Sequence, residues 1–279
     1  MQSFKQAVQR AAKDALVDMI GFAGRSRFDD LLPDKNPFTL FSEAKTAILI
    51  ARRITRGTLR GVEEGINFGD YSLFGKNWLS DEFIAQSAYD VATFIERAGY
   101  EAMPIVPEKQ VAVSGVGQSV FPDFKYAAVA CGLGEIGLCG EVLTPRFGPR
   151  QRLAMILTDA EIPEDPIFEG SICTQCGRCI EICPLHAFHD HQAEQITICG
   201  KTMQVAVCDN ELCGICKNGA ITNHDGVDRL AALCVRTCID ELDQEKVLMN
   251  AFETNFRKRP AWGKNEFGEA VEVVEGGQK

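Results

Sequence analysis

The chain lacks the features that would send it to a membrane, out of the cell or onto nucleic acid. No apolar run approaches the ~20 residues of a membrane span; the most apolar short stretch, Thr46 to Ala51 (TAILIA), has the length of a strand. The N-terminus, MQSFKQAVQRAAKDALVDMI, carries charges throughout and has no signal-peptide apolar core, so a cytoplasmic location is expected. Basic residues are outnumbered: 29 Lys and Arg against 39 Asp and Glu give a net charge of −10. Nucleic-acid binders usually show a basic excess, so nucleic acid is read as an unlikely partner, and a membrane as none. Histidine is scarce as well, with 4 in the chain. Hydrophobic residues at 46% and charged residues at 24% exclude disordered and low-complexity classes. The length of 279 residues suggests about two domains.

Cysteine is what the chain has in excess. There are 12, and all but Cys131 and Cys139 lie between Cys173 and Cys238. In a small secreted domain such a cluster would mean disulfides; without a signal sequence, metal ligation is the better reading. Cys173, Cys176, Cys179 and Cys183-Pro184 match C-x2-C-x2-C-x3-C-P without a gap, the run that binds [4Fe–4S] clusters in bacterial ferredoxins. Three thiolates two residues apart wrap one cubane, and the fourth turns away to the other cluster. Cys213, Cys216, Cys234 and Cys238 supply the remaining four ligands. Cluster one would then take Cys173, Cys176, Cys179 and Cys238, and cluster two Cys183, Cys213, Cys216 and Cys234. Ala231 stands where a second complete run would place its first cysteine. A competing reading keeps one cubane and makes Cys213, Cys216, Cys234 and Cys238 a zinc site. Cys199 and Cys208 are left over; either would serve as a replacement ligand or as a buried thiol. His186, His189, His191 and His224 all fall in this stretch and read as surface or loop residues.

Elsewhere the pattern is that of a mixed helix and sheet protein. Residues 1–22 read as an amphipathic helix on Phe4, Val8, Ala11, Ala15 and Met19. TAILIA reads as a buried strand, 57–76 as a Gly-rich loop, and about 78–98 as a long helix ended by Gly99. Residues 101–106 and 151–158 read as strands; 125–131 suits either helix or strand. The acidic, proline-bearing stretch 159–170 marks a boundary, and the last stretch from 251 reads as a loose polar tail. The expected organisation is 1–165, 166–245 and a polar tail over 246–279. Gly132, Gly134 and Gly137 fit G-x-G-x-x-G, with Asp159 downstream, but LCGEVLTPRFGPR cannot form the helix that a dinucleotide-binding loop requires. The glycines instead suggest close backbone approach, to a flat cofactor or to another chain segment. Arg146, Arg150 and Arg152 follow, as holders of an anionic group or as a solvated face.

The string KYAAVACGLGEIGLCGEVLTPRFGPRQRLAMILTDAEIP, followed directly by the ferredoxin run, resembles the epoxyqueuosine reductase family and its anaerobic relatives, whose architecture is shared with reductive dehalogenases. The resemblance runs from about Thr46 to Leu242. It implies an α+β fold: an α/β N-terminal domain like half of a nitroreductase, carrying a two-cluster ferredoxin-like module. It implies cobalamin between the two, an external electron donor of ferredoxin or flavodoxin type, and a small-molecule substrate. By the same resemblance Gly132, Gly134 and Gly137 approach the corrinoid, and Asp70-Tyr71 is the candidate catalytic step, Tyr71 as proton donor or substrate contact; Arg146 and Arg150, from their place after the loop, are candidate cofactor-binding residues. Gln118 departs from the pattern: epoxyqueuosine reductases carry an acidic proton donor there, and an amide cannot do that work. The leading expectation is an iron–sulfur reductase. The alternatives are an electron-transfer protein that reductively activates a corrinoid partner, and a cobalamin-binding or trafficking protein.

Overall fold

The computed structural model describes residues 2–107, 119–219, 221–223, 226–265 and 267–272. Gln118 and His224 lie outside the described residues.

Four strands make the central sheet: β1 (Met19–Gly24), β2 (Thr46–Arg53), β3 (Ala102–Ile105) and β6 (Gln151–Thr158), in the order β1-β2-β6-β3 with every neighbour antiparallel. The run TAILIA is apolar without alternation because both faces of β2 are covered. On one face Ile48 and Ile50 join Phe22, Ala154 and Ile156 against helices α1 (Gln2–Asp14) and α3 (Ile84–Arg97). On the other, Ala47, Leu49 and Ala51 join Met155 and Leu157 against α4 (Phe124–Ala130) and the phenylalanines Phe28 and Phe38. A mixed helix-and-sheet protein of α+β type is what the sequence led us to expect.

Several local expectations are corrected. The first helix stops at Asp14, where Leu16 takes a positive φ of 61°, and Met19 and Ile20 pair with Ala51 and Ile50. Their apolar side chains fit a helical period and a strand equally well, and sheet pairing decides. Residues 57–76 are not an open loop. A turn at Arg56–Leu59 leads into α2 (Arg60–Glu63), and wide π-helical turns at Tyr71–Asn77 and Leu79–Phe83 then run into α3. Gly75 is required there: a Cβ on it would sit 2.4 Å from the Tyr71 ring. Helix α4 settles the ambiguity of 125–131, opened by Asp123 accepting from the Tyr126 amide at 2.9 Å.

The glycine loop turns through the two-residue strands β4 (Glu135–Ile136) and β5 (Val142–Leu143). The Cys-rich stretch holds α5 (Arg178–Glu181), the hairpin β7 (Phe188–Ile198) with β8 (Lys201–Cys208), α6 (Asn210–Gly214), the short pair β9 (Ile221–Asn223) with β10 (Gly226–Asp228), and α7 (Leu233–Gln244). One apolar core draws on both sides of the 159–170 stretch: Ile54, Leu59, Val62, Tyr71 and Leu79 pack with Cys179, Ile182, Cys213, Leu233 and Val235. The end of the chain is not a loose tail through residue 272. Phe256 and Ala261 enter that core, and β11 (Trp262–Lys264) pairs with β12 (Ala270–Glu272). The few apolar residues of a polar stretch serve as plugs, which composition alone conceals.

Candidate iron–sulfur site

The Cys-rich stretch wraps two cavities. The first is walled by Cys173, Cys176, Cys179 and Cys238, with Arg178 and Glu241 at its edge. The second is walled by Cys183, Cys213, Cys216 and Cys234 with Pro184 and Phe188. The chain thus sends Cys183 away from its three neighbours in the run and brings Cys238 back to them from α7. Cys238 is separated from Cys213, Cys216 and Cys234, so the four cysteines of the alternative zinc site are not gathered on one cavity. Among the described residues no three His, Cys, Asp or Glu side chains converge as tightly as a single metal ion demands.

Local backbone explains the wrapping. Gln175 and Gly177 both take positive φ, 56° and 76°, so the run turns sharply between consecutive cysteines before α5 begins. Backbone amides point at sulfur: Leu138 N–H donates to Cys173 Sγ and Ala187 N–H to Cys183 Sγ, each at 3.4 Å. The Gln175 side chain adds a third such bond to Cys173 at 3.4 Å. Arg178 and Glu241 form an ion pair that ties α5 to α7. Burial is uneven: Cys179, Cys183, Cys213 and Cys234 are buried, whereas Cys176 is exposed. Burial, with nearby thiols adding to it, pushes the Cys234 thiol up, so a bound cation is what would hold it as thiolate.

Three residues at this site carried no signal in the sequence. Glu135, inside the glycine loop, accepts from the amides of Ile172 and Cys173 at 2.7 Å each and pairs with Lys201 at 3.2 Å, anchoring the start of the cysteine run. Arg229 is buried, pairs through Nε with Glu141 at 3.1 Å, and among the described residues leaves Nη1 buried without a hydrogen-bond partner. Its guanidinium feels Cys139 of the first cavity, Cys234 of the second, and Cys208. Cys139 itself is buried against Cys179 and Cys238. No spacing rule points to any of the three: Glu135 and Cys139 reach the site from outside the Cys-rich stretch, and Arg229 is placed there by its pairing with the distant Glu141. Of the leftover cysteines, Cys208 lies against Cys213, which pulls its thiol down to about 6, and Cys199 lies beside Tyr126.

The glycines expected to receive a corrinoid are pressed against other chain segments. A Cβ on Gly132 would meet Pro166 O at 2.2 Å, one on Gly134 would meet Leu143 O at 2.0 Å, and one on Gly137 the Leu143 side chain at 2.6 Å. Their smallness is used for close approach between chain segments. Arg150 is 2% exposed, donates to Ile54 O at 2.9 Å and lies 3.4 Å from Asn250 Oδ1; burial brings it down to about 10. Arg146 donates to Asp18 O at 2.6 Å. The three glycines and Arg150 therefore fit chain packing and not a bound corrinoid, whereas Arg146 is exposed.

Asp70 and Tyr71 part company. The Asp70 carboxylate is turned to the surface, accepting from Asn67 at 2.9 Å. Tyr71 is 3% exposed and its hydroxyl accepts from Arg152 Nη2 at 3.1 Å. Arg152 also donates to Gly75 O at 2.9 Å and to Asp228 at 2.7 Å, with Lys76 3.8 Å from the same carboxylate. Arg152 is thus no solvated surface residue but a bridge from the π-helical turns to the Cys-rich stretch. Burial would raise the Asp228 carboxyl, but the Arg152 and Lys76 charges win and hold it below its usual range. Outward from Tyr71, the same turns expose Phe74 and Trp78, stacked edge to face at 5.1 Å.

No family model matches the chain. A tetrachloroethene reductive dehalogenase of Desulfitobacterium hafniense is 35% identical over 107 residues, 37% of this chain and 17% of its own length. An epoxyqueuosine reductase of Bacillus anthracis is 28% identical over 220 residues, 67% of this chain and 52% of its own. The homologues of this chain are epoxyqueuosine reductases and reductive dehalogenases. In fold, a catabolic reductive dehalogenase aligns with a TM-score of 0.55 over 98% of this chain and 40% of that one, at 14% identity. The chain spans about half the length of the epoxyqueuosine reductase and less of the dehalogenase. The expectation that nucleic acid is an unlikely partner is not supported. Net charge says nothing of a local basic patch. Among the described residues no helix is long and apolar enough to cross a membrane.

Proposed function

We propose that the chain is an iron–sulfur oxidoreductase that holds two [4Fe–4S] clusters and passes electrons to a small molecule or organic cofactor held by residues 1–165. Residues 166–245 form the two-cluster ferredoxin-like module. The first cluster is held by Cys173, Cys176, Cys179 and Cys238, the second by Cys183, Cys213, Cys216 and Cys234. When bound, the clusters supply one-electron transfer. The observation that carries this reading is the crossing of ligands between two cavities, Cys183 to the second and Cys238 to the first. A two-cluster ferredoxin arrangement needs that exchange, and a mononuclear zinc site does not.

The chain's own residues then have defined work. Amides of Leu138 and Ala187 donate to Cys173 and Cys183, which favours the thiolate form. Arg229 supplies a buried positive charge where two anionic clusters would come close. Arg152 fixes the Tyr71 hydroxyl as the candidate proton donor to the acceptor. The electron donor is an external ferredoxin- or flavodoxin-type protein. One reductive dehalogenase among the structural neighbours is described as B12-dependent; for this chain a corrinoid would have to be held by residues other than the glycine loop and Arg150.

The test is spectroscopic and chemical. Protein purified without oxygen is expected to give the brown absorption of [4Fe–4S] centres and, when reduced, the broadened EPR of two interacting clusters. A single-cluster EPR signal with zinc bound would contradict the reading. Tyr71→Phe is expected to keep both clusters and slow substrate reduction on the order of 10²-fold, the usual scale of a lost proton donor.

A further inference from the structure

The first cavity has one thiol more than a cubane can use. Cys173, Cys176, Cys179 and Cys238 line it, and so does Cys139. A [4Fe–4S] cluster offers four iron corners to protein ligands. Cys139 is not a bystander at the rim. It is 2% exposed and lies against Cys179 and Cys238 on the same cavity wall. The strip that carries it is pressed along the cavity wall: Leu138 N–H bonds Cys173 Sγ at 3.4 Å, and a Cβ on Gly137 would lie 3.7 Å from Cys173 Cβ. A residue two positions after Gly137 is thereby aimed at the cavity by the backbone.

Cys176 stands in contrast. It is exposed, and it sits between Gln175 and Gly177, both at positive φ, on the outermost turn of the run. The thiol that the ferredoxin spacing nominates is thus the one nearest solvent, while the fifth thiol is buried against two other members of the set.

We propose that Cys139 is a ligand-competent fifth thiol of the first site, able to take the iron corner of Cys176. This rests on the reading of that site as a [4Fe–4S] centre. The exchange is a substitution at one iron: the bond from Cys176 sulfur breaks, a bond from Cys139 sulfur forms, and the proton of the incoming thiol passes to the outgoing thiolate. No electron is gained or lost. The consequence is a cluster anchored by the glycine loop as well as by its own run, so that loss or modification of the exposed cysteine need not release iron.

Wild type, Cys139→Ala, Cys176→Ala and the double variant are purified without oxygen, and iron, acid-labile sulfide and EPR are measured per chain. Wild type and both single variants are expected to hold about eight irons, with shifted EPR in Cys176→Ala, and the double variant about four to seven with a three-iron signal. The second site's irons and spectrum report that each variant is folded. If Cys176→Ala alone loses iron as the double variant does, the proposal falls while the two-cluster reading stands. If wild type carries no cluster at the first site, both fall together.

Discussion

Replacing Glu63 by Gln is expected to loosen the joint between the sheet and the cluster-bearing stretch. Glu63 ends α2 and is 7% exposed. One carboxylate oxygen pairs with Arg236, which is fully buried on α7; the other pairs with Arg257 at 2.6 Å, in the segment leading to β11. Arg236 lies further over the Trp262 ring at 5.6 Å, and Trp262 donates back to Glu63 O at 2.9 Å. Burial already disfavours the Arg236 charge, and Glu63 is its principal compensation. Removing one partner of a buried pair costs about 3–5 kcal/mol, because the other charge stays buried. For a chain of this size that is roughly 6–20 °C in melting temperature. The assay is far-UV circular dichroism under anaerobic conditions, with absorbance of the clusters followed in the same sample. Both signals are expected to fall together at the lower temperature, since Glu63 and Arg236 share one core with Cys234. The double variant Glu63→Gln/Arg236→Met removes the fully buried cation as well, leaving Arg257 without its partner, and is expected to recover part of the loss. A single-variant shift below about 3 °C, or a double variant no better than the single, would refute the reasoning.

Other consequences follow from buried charge. Arg229→Gln removes a cation beside both cavities, and since reduction adds negative charge, both cluster potentials are expected to fall. A unit charge about 8 Å away at an effective dielectric near 20 is worth on the order of 2 kcal/mol, roughly 90 mV for a one-electron couple; EPR-monitored titration reads it, and unchanged or raised potentials would contradict the role. Asp228 is held below its unfolded value by Arg152 and Lys76, so its contribution is fully present above the unfolded carboxylate pKa and is lost as pH falls through the lower, folded one. Wild type is therefore expected to lose stability more steeply than Asp228→Asn below about pH 4, and parallel acid-unfolding curves would show that Asp228 contributes nothing there.

The cysteine run was legible because its spacing is the chemistry: C-x2-C-x2-C-x3-C-P allows few other uses. The strands TAILIA and QRLAMILT were legible because an unbroken apolar run of that length needs cover on both faces, and the sheet provides it. Met19 and Ile20 were misread because a few apolar residues satisfy either period until a partner strand appears. The glycine loop showed that glycines mean close approach, but which partner approaches depends on Pro166 and Leu143, and no local pattern encodes that. Cys139, Glu135 and Arg229 escaped for the same reason. Glu135 and Cys139 act across tens of residues of chain, and Arg229 is held by Glu141 from a distant segment, on a site that only the folded topology assembles.

The central claim is two cubanes on eight of the twelve cysteines. It is tested most directly by iron, acid-labile sulfide, zinc and cobalt per chain, in protein made and purified without oxygen from cells supplied with iron, sulfur and cobalamin. About eight irons and eight sulfides with no zinc are expected. About four irons with one zinc would contradict the assignment of Cys183, Cys213, Cys216 and Cys234 to a second cluster.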